Sequence, residues 1–179
     1  MSGTGNIERR KTQGGFTLVE LLIVVVIVGI LAAIVIPQFG SSTADAKTST
    51  LQANLSEIRN AVEMYYHQHG AQYPGAVKET DGTTATGTAA EAVAAFKAQL
   101  TQYTDKNGKV SVSKDSTYCY GPYLKASDLP KNPFNDLATI VADVTTTDVT
   151  AATVDNSTGW KFYVKTGKFL ANSTGHAAL

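Results

Sequence analysis

Cysteine is almost absent from this chain: Cys119 is the one cysteine among 179 residues, so no intrachain disulfide can form. We interpret Cys119, in the aromatic stretch YCYGPY, as a small buried hydrophobe rather than a reactive thiol. An exported domain without disulfides must draw its stability from its core or from a bound ion.

An excess of charge is also absent, because 15 basic and 15 acidic residues cancel. No strong overall field therefore points to nucleic acid or to an acidic substrate. The sequence contains no Gly-x-Ser-x-Gly, phosphate loop, paired-cysteine metal motif or His-Glu-x-x-His. We predict that the chain is not an enzyme and that its tyrosines pack rather than stack on bases.

The cancelled charge hides a local bias before Phe16. The segment holds Glu8, Arg9, Arg10 and Lys11, a net charge of +2, and no basic residue follows until Lys47. The positive-inside rule predicts a cytoplasmic N-terminus, with everything after Pro37 outside.

A long apolar run extends from Phe16 to Phe39, 24 residues. As a helix it would measure about 36 Å, enough to cross a hydrocarbon core of about 30 Å. The competing interpretation is a secretory signal peptide, whose apolar region normally has about 7–15 residues. The length of the run favours a membrane anchor.

The acidic residue Glu20 lies inside this run and needs an explanation. A carboxylate at the bilayer centre costs roughly 2.5–3.5 kcal/mol, so such residues are usually functional. The alternative is snorkelling, because Glu20 lies only about 6 Å inside the start of the helix, near the headgroups.

The stretch GGFTLVELL, continued by ILAAIVIPQF, resembles the processing motif of type IV pilins and type II secretion pseudopilins. The resemblance implies that a prepilin peptidase cuts between Gly15 and Phe16 and that the new Phe16 amine is N-methylated. It also implies that Glu20 pairs with the amine of a neighbouring subunit during filament assembly. Gly29 and Pro37 would mark a segment that kinks or melts, and both are poor helix formers.

The next stretch predicts a long helix with one apolar face. Its apolar residues fall at alternating spacings of four and three: Leu51, Leu55, Ile58, Val62 and Tyr65. Gly70 supplies a stop signal. His67 and His69 point to different faces of such a helix, which argues against a metal site.

The remaining residues predict an α+β domain. Thr88 and Glu91 fit a capping box that begins a second helix, at about 89–104. DKNGKVSVS predicts a turn and a strand with Val110 and Val112 on one face. ATIVADV predicts another strand, and WKFYVKTGKFLAN predicts a hairpin that turns at Gly167. The hairpin offers five side chains to the core: Trp160, Phe162, Val164, Phe169 and Leu170.

We therefore expect four segments in a pilin-like α+β fold whose long helix packs on a small domain with an antiparallel sheet. They are a leader (1–15), a transmembrane and polymerisation helix (16–39), the amphipathic half of that helix (40–70) and a globular domain (71–179).

GPYLKASDLPKNPFN and GWKFYVKTGKFLAN resemble the C-terminal segments of pseudopilins, nearest to the major one. Major pseudopilins of this kind hold calcium in a late loop. The matching region here offers Asp143, Asp148 and Asp155, yet its spacing fits no defined calcium loop. We therefore assign no metal ligands and expect no cofactor, with calcium as the alternative.

The function that the resemblance implies is that of a structural subunit of a type II secretion pseudopilus. Its partners would be copies of itself, minor pseudopilins, prepilin peptidase, an inner-membrane assembly platform with a cytoplasmic ATPase, and membrane lipid, with no nucleic acid. It would lie in the bacterial inner membrane with its C-terminal domain in the periplasm. The alternatives are a type IV pilin, serving adhesion, twitching or DNA uptake, and an anchored periplasmic binding domain that never polymerises.

Overall fold

The computed structural model describes residues 15–150 and 153–179, without the side chains of residues 37–41. The predicted leader, apart from Gly15, lies outside the described residues. Contacts divide the chain into two compact units, one ending at Ala44 and the other covering Asp45–Leu179.

Helix α1 spans Leu18–Gln68, which confirms the predicted long helix. Its residues Leu18–Ile36 have a mean hydropathy of 3.3, and 0% of that window is buried. Within the described part of the chain this is the one helix long and apolar enough to cross a membrane, judged by length and composition.

The apolar stripe of α1 forms one wall of the core in the second unit. All five predicted residues are at most 1% exposed: Leu51, Leu55, Ile58, Val62 and Tyr65. Helix α2 spans Ala89–Thr101 and begins with the predicted capping box of Thr88 and Glu91. It ends before the predicted residue 104, because Tyr103 and Thr104 leave the helix to form a strand.

Five short strands follow α1 and α2. Strands β1 (Tyr103–Thr104) and β2 (Val110–Ser111) form an antiparallel pair. Strands β3 (Ile140–Asp143), β4 (Trp160–Tyr163) and β5 (Lys168–Ala171) form a sheet in that order.

The predicted antiparallel hairpin is confirmed for β4–β5, and β1–β2 is a further antiparallel pair, whereas β3 and β4 run parallel. Parallel neighbours need a crossover of a dozen or more residues, and the long 144–159 connection supplies it. Gly167 in the hairpin turn has φ +69°, a conformation that favours glycine.

The core is rich in aromatic rings from α2 and the hairpin. All five predicted hairpin side chains are buried, and the Phe96 and Phe162 ring centroids are 4.6 Å apart. The prediction for Val112 was wrong: β2 ends at Ser111, and Val112 is 83% exposed. A two-residue strand cannot carry both valines on one face.

Candidate functional site

The start of α1 holds the predicted processing residues in an accessible arrangement. Gly15, Phe16 and Thr17 precede the helix, and Phe16 is 87% exposed. The Glu20 Oε2 atom accepts hydrogen bonds from the Thr17 N–H (2.8 Å) and the Thr17 hydroxyl (2.7 Å). The Glu20 N–H donates to the Thr17 hydroxyl oxygen at 3.2 Å. Thr17 and Glu20 thus form a capping box two residues after the Gly15–Phe16 bond.

Sequence reasoning missed this capping box, although its Thr-x-x-Glu signal is plain in FTLVE. The box gives Glu20 a partner within its own chain and places a carboxylate at the positive end of the helix dipole. Both bonds from Thr17 reach Oε2. The other oxygen of the Glu20 carboxylate, Oε1, is therefore available to a cation that does not belong to the described residues.

The two predicted melting residues both lie within α1. A Cβ added to Gly29 would have nothing within 4 Å, so packing within the chain does not require glycine there. Pro37 falls inside the helix bounds, and its side chain is outside the described ones. The kink or melting at these residues stays a prediction.

The three acidic residues proposed as weak calcium candidates lie at or after the end of β3. The Asp143 carboxylate accepts hydrogen bonds from Thr145 and Thr146 at 2.7–3.0 Å. Burial works to raise the pKa of Asp143, but the bonds from Thr146 and Thr145 outweigh it and hold the pKa below its usual value. Asp148 is exposed.

The Asp155 carboxylate is held by hydrogen bonds from Ser157 and from Asn172, the residue after β5. Its Oδ1 atom accepts hydrogen bonds from the Ser157 N–H (3.0 Å), the Ser157 hydroxyl (2.7 Å) and the Asn172 amide (2.7 Å). The Ser157 N–H and the Asn172 amide are the largest causes that lower the pKa of Asp155 to about 2. The described residues hold no group of three or more His, Cys, Asp or Glu side chains suited to a metal ion.

The two histidines of the H-x-H pair differ in surroundings, as predicted for successive helix faces. His67 is exposed, whereas His69 is buried and stacks on Tyr65 at 3.8 Å. The His69 ring nitrogens lie 2.9 Å from the Tyr65 carbonyl oxygen and 3.0 Å from the Thr104 hydroxyl. Burial lowers the pKa of His69. Both ring nitrogens are engaged, so His69 is a structural residue here.

The two C-terminal stretches that resemble pseudopilins contact each other. The buried Asn132 amide donates to the Gly159 carbonyl at 2.9 Å, and the Trp160 indole donates to the Pro130 carbonyl at 2.8 Å. A Cβ at Gly159 would overlap the Leu137 carbonyl oxygen. Glycine is therefore required at 159 by the close approach of the backbone at Leu137, two residues beyond the first stretch.

The interpretation of Cys119 as a buried hydrophobe was wrong, because its side chain is exposed. It lies just before the isolated bridge that Tyr120 makes with Thr104. The neighbouring Tyr120 and Tyr123 turn toward His69, and Cys119 faces the surface instead.

Comparison with known proteins identifies the segment around the capping box. The family model described as "Prokaryotic N-terminal methylation motif" matches residues 10–36. This N-terminal segment is therefore similar to the corresponding segment of pilins and of a type II secretion core protein.

The similar proteins include secretion and pilus proteins. Type II secretion system core protein G of Pseudomonas aeruginosa is 46% identical over 57 residues, 32% of this chain and 40% of the relative. Type IV major fimbrial protein FimA of Dichelobacter nodosus is 46% identical over 54 residues, 30% of this chain and 35% of the relative. Type IV major pilin protein PilE1 of Neisseria gonorrhoeae is 47% identical over 58 residues, 32% and 35% of the two chains.

The chain thus spans 40% or less of the length of each of these relatives. No solved structure matches. The similarity covers the apolar helix and its processing motif, and the C-terminal resemblance stays a prediction.

Proposed function

We propose that this chain is the precursor of a structural subunit of a type II secretion pseudopilus. Prepilin peptidase cuts it between Gly15 and Phe16, the Phe16 amine is methylated, and the helix that starts at Leu18 carries the subunit into a filament. The filament drives protein export. Its position is the inner membrane, with the N-terminus cytoplasmic and residues after Pro37 periplasmic, as the basic residues before Phe16 indicate.

The observation that carries this proposal is the Thr17–Glu20 capping box at the head of an apolar helix. Before cleavage, the two bonds from Thr17 satisfy one oxygen of the Glu20 carboxylate. Cleavage creates an ammonium group on Phe16. An unpaired carboxylate or ammonium is costly in lipid, whereas a pair between two subunits costs far less. Pairing the Phe16 amine of one subunit with Glu20 of the next lowers both costs and fixes their register.

The first experiment is to determine the intact mass and the N-terminal sequence of the protein purified from its own membranes. The proposal expects a chain that starts at Phe16 and carries one extra methyl group. A chain that still begins before Gly15 would refute processing, and Glu20 would then be a snorkelling residue.

The role of Glu20 is tested by Glu20→Gln, with Glu57→Gln as the matched control. Glu57 lies on the same helix, is exposed and lies beyond the apolar segment. We expect both variants to be processed, and only Glu20→Gln to lose cross-linked multimers and secretion. Normal assembly of Glu20→Gln would contradict the pairing.

A type IV pilin is the second candidate function, because relatives named as pilins match this chain about as well as the secretion protein does. The absence of a second cysteine excludes the intrachain C-terminal disulfide loop common in those pilins. Deletion of the gene distinguishes the two: accumulation of exported proteins in the periplasm supports the pseudopilus, and loss of twitching or DNA uptake supports the pilus.

The partners follow from the same proposal. They are copies of this chain, minor pseudopilins, the peptidase, the assembly platform with its ATPase, and lipid, and we propose neither nucleic-acid binding nor catalysis. An anchored binding domain that stays monomeric is the rival from another class. It predicts that cross-linking in membranes yields monomers alone.

A further inference from the structure

The 144–159 connection lies where major pseudopilins, which the C-terminal segments resemble, would hold calcium. Calcium takes six to eight oxygen ligands, from carboxylates, carbonyls and waters. Whether these residues fit a calcium ion depends on what their oxygens already bind.

Two of the three candidate carboxylates already accept hydrogen bonds from neighbouring donors, and the third, Asp148, is exposed. Asp143 accepts four hydrogen bonds from Thr145 and Thr146. Oδ1 of Asp155 accepts three, from Ser157 and Asn172. A calcium ion would have to displace several of these donors.

Two lysine side chains supply positive charge at the same connection. The Lys161 ammonium donates to the carbonyl oxygen and the hydroxyl of Thr153, both at 3.2 Å. The Lys168 ammonium donates to the Val149 carbonyl oxygen at 3.1 Å. These oxygens are of the type that calcium would use, and two ammonium groups at this place repel a divalent cation.

The register of the hairpin explains how both lysines reach the connection. Lys168 pairs with Tyr163, and Lys161 pairs with Leu170. Alternation along a strand places these four side chains on the face of the sheet opposite Phe162 and Phe169. Tyr163 and Leu170 are at most 3% exposed although they lie outside the main core cluster. Through these hydrogen bonds, Lys161 and Lys168 hold Thr153 and Val149 on the second face of the sheet.

We propose that the ammonium groups of Lys161 and Lys168, rather than a calcium ion, are the cations that fix the chain at Thr153 and at Val149. The described residues of the connection do not fit calcium, so we expect the folded domain to be independent of it. This inference concerns the domain and holds for either kind of filament.

The test is thermal unfolding of the full chain in detergent, followed by the fluorescence of Trp160. Trp160 is the only tryptophan and is fully buried in β4. We expect the same midpoint, within about 1 °C, in millimolar CaCl₂ and in excess EGTA. Millimolar calcium at a typical extracellular site would raise the midpoint by roughly 3 °C or more, and such a rise would overturn the proposal.

The second arm replaces both lysines by Met, which keeps the apolar stem and removes the charge. Lys161→Met combined with Lys168→Met is expected to lower the midpoint by about 2–6 °C. Lys165→Met is the matched control, because Lys165 is exposed in the turn of the same hairpin and has no hydrogen bond to the described residues. If the double variant and the Lys165→Met control have the same thermal midpoint, the proposed role of the lysines is refuted.

Discussion

The buried amide of Gln99 should be the most sensitive polar group in the second unit. Gln99 is 0% exposed. Its Oε1 atom accepts from the Gly75 N–H at 2.8 Å, and its Nε2 atom donates to the Val77 carbonyl at 3.1 Å and the Gly108 carbonyl at 2.9 Å. The Gln99 side chain on α2 is thus hydrogen-bonded both to the loop after α1 and to the β1–β2 turn.

Gln99→Met keeps the volume and removes all three bonds. Gly75, Val77 and Gly108 are all buried, and each unmet backbone group costs about 1–3 kcal/mol. Partial relaxation leaves an expected loss of about 3–5 kcal/mol in the free energy of unfolding, a large share of the about 5–15 kcal/mol of a typical domain. The thermal midpoint should fall by roughly 6–20 °C.

The assay is urea and thermal unfolding of the full chain in detergent, with Gln52→Met as the control. Gln52 is an exposed helical glutamine, so its replacement should change the free energy by less than about 0.5 kcal/mol. A Gln99→Met protein that melts within about 2 °C of the parent would refute the reasoning. Gln99→Glu gives an independent check: burial raises the pKa of the new carboxyl in the folded state, so the variant should gain stability as pH falls.

Three further predictions concern the rest of the second unit. Gly159→Ala should cost about 3 kcal/mol or prevent folding, since the new Cβ overlaps the Leu137 carbonyl; urea midpoints measure this. Asp155 has a folded pKa of about 2, below its ordinary value, so its contribution is present above pH 4 and lost as pH falls toward 2. Asn172→Ala, which removes one donor to Asp155, should flatten that loss in urea midpoints measured against pH. Cys119 should react with a maleimide in the folded protein, and protection would contradict its exposure.

Local signals predicted the helices and the hairpin well. The stripe from Leu51 to Tyr65 identified the buried face of α1, because spacings of three and four select one side of a helix. The pair Thr88 and Glu91 identified the first turn of α2. Gly167 identified the hairpin, whose two strands are close in sequence.

Features set by distant contacts escaped prediction. The parallel pairing of β3 with β4 depends on the path of the 144–159 connection, which no local pattern records. The exposure of Cys119 depends on which neighbours turn inward, and the aromatic context was misleading. The Thr17–Glu20 capping box is a different case. Its Thr-x-x-Glu signal is local, so the sequence alone could have predicted it.

The guanidinium of Arg59 lies at the outer edge of strand β5, and this position affects solubility. The Asn172 N–H donates to the Gly159 carbonyl, so by the alternation of antiparallel pairs the Phe169 carbonyl faces away from β4. Arg59 donates to that carbonyl at 2.9 and 3.0 Å. An uncovered strand edge is a template for cross-β aggregation. Because Arg59 already occupies a carbonyl on this edge of β5, it hinders the addition of a strand from another molecule there.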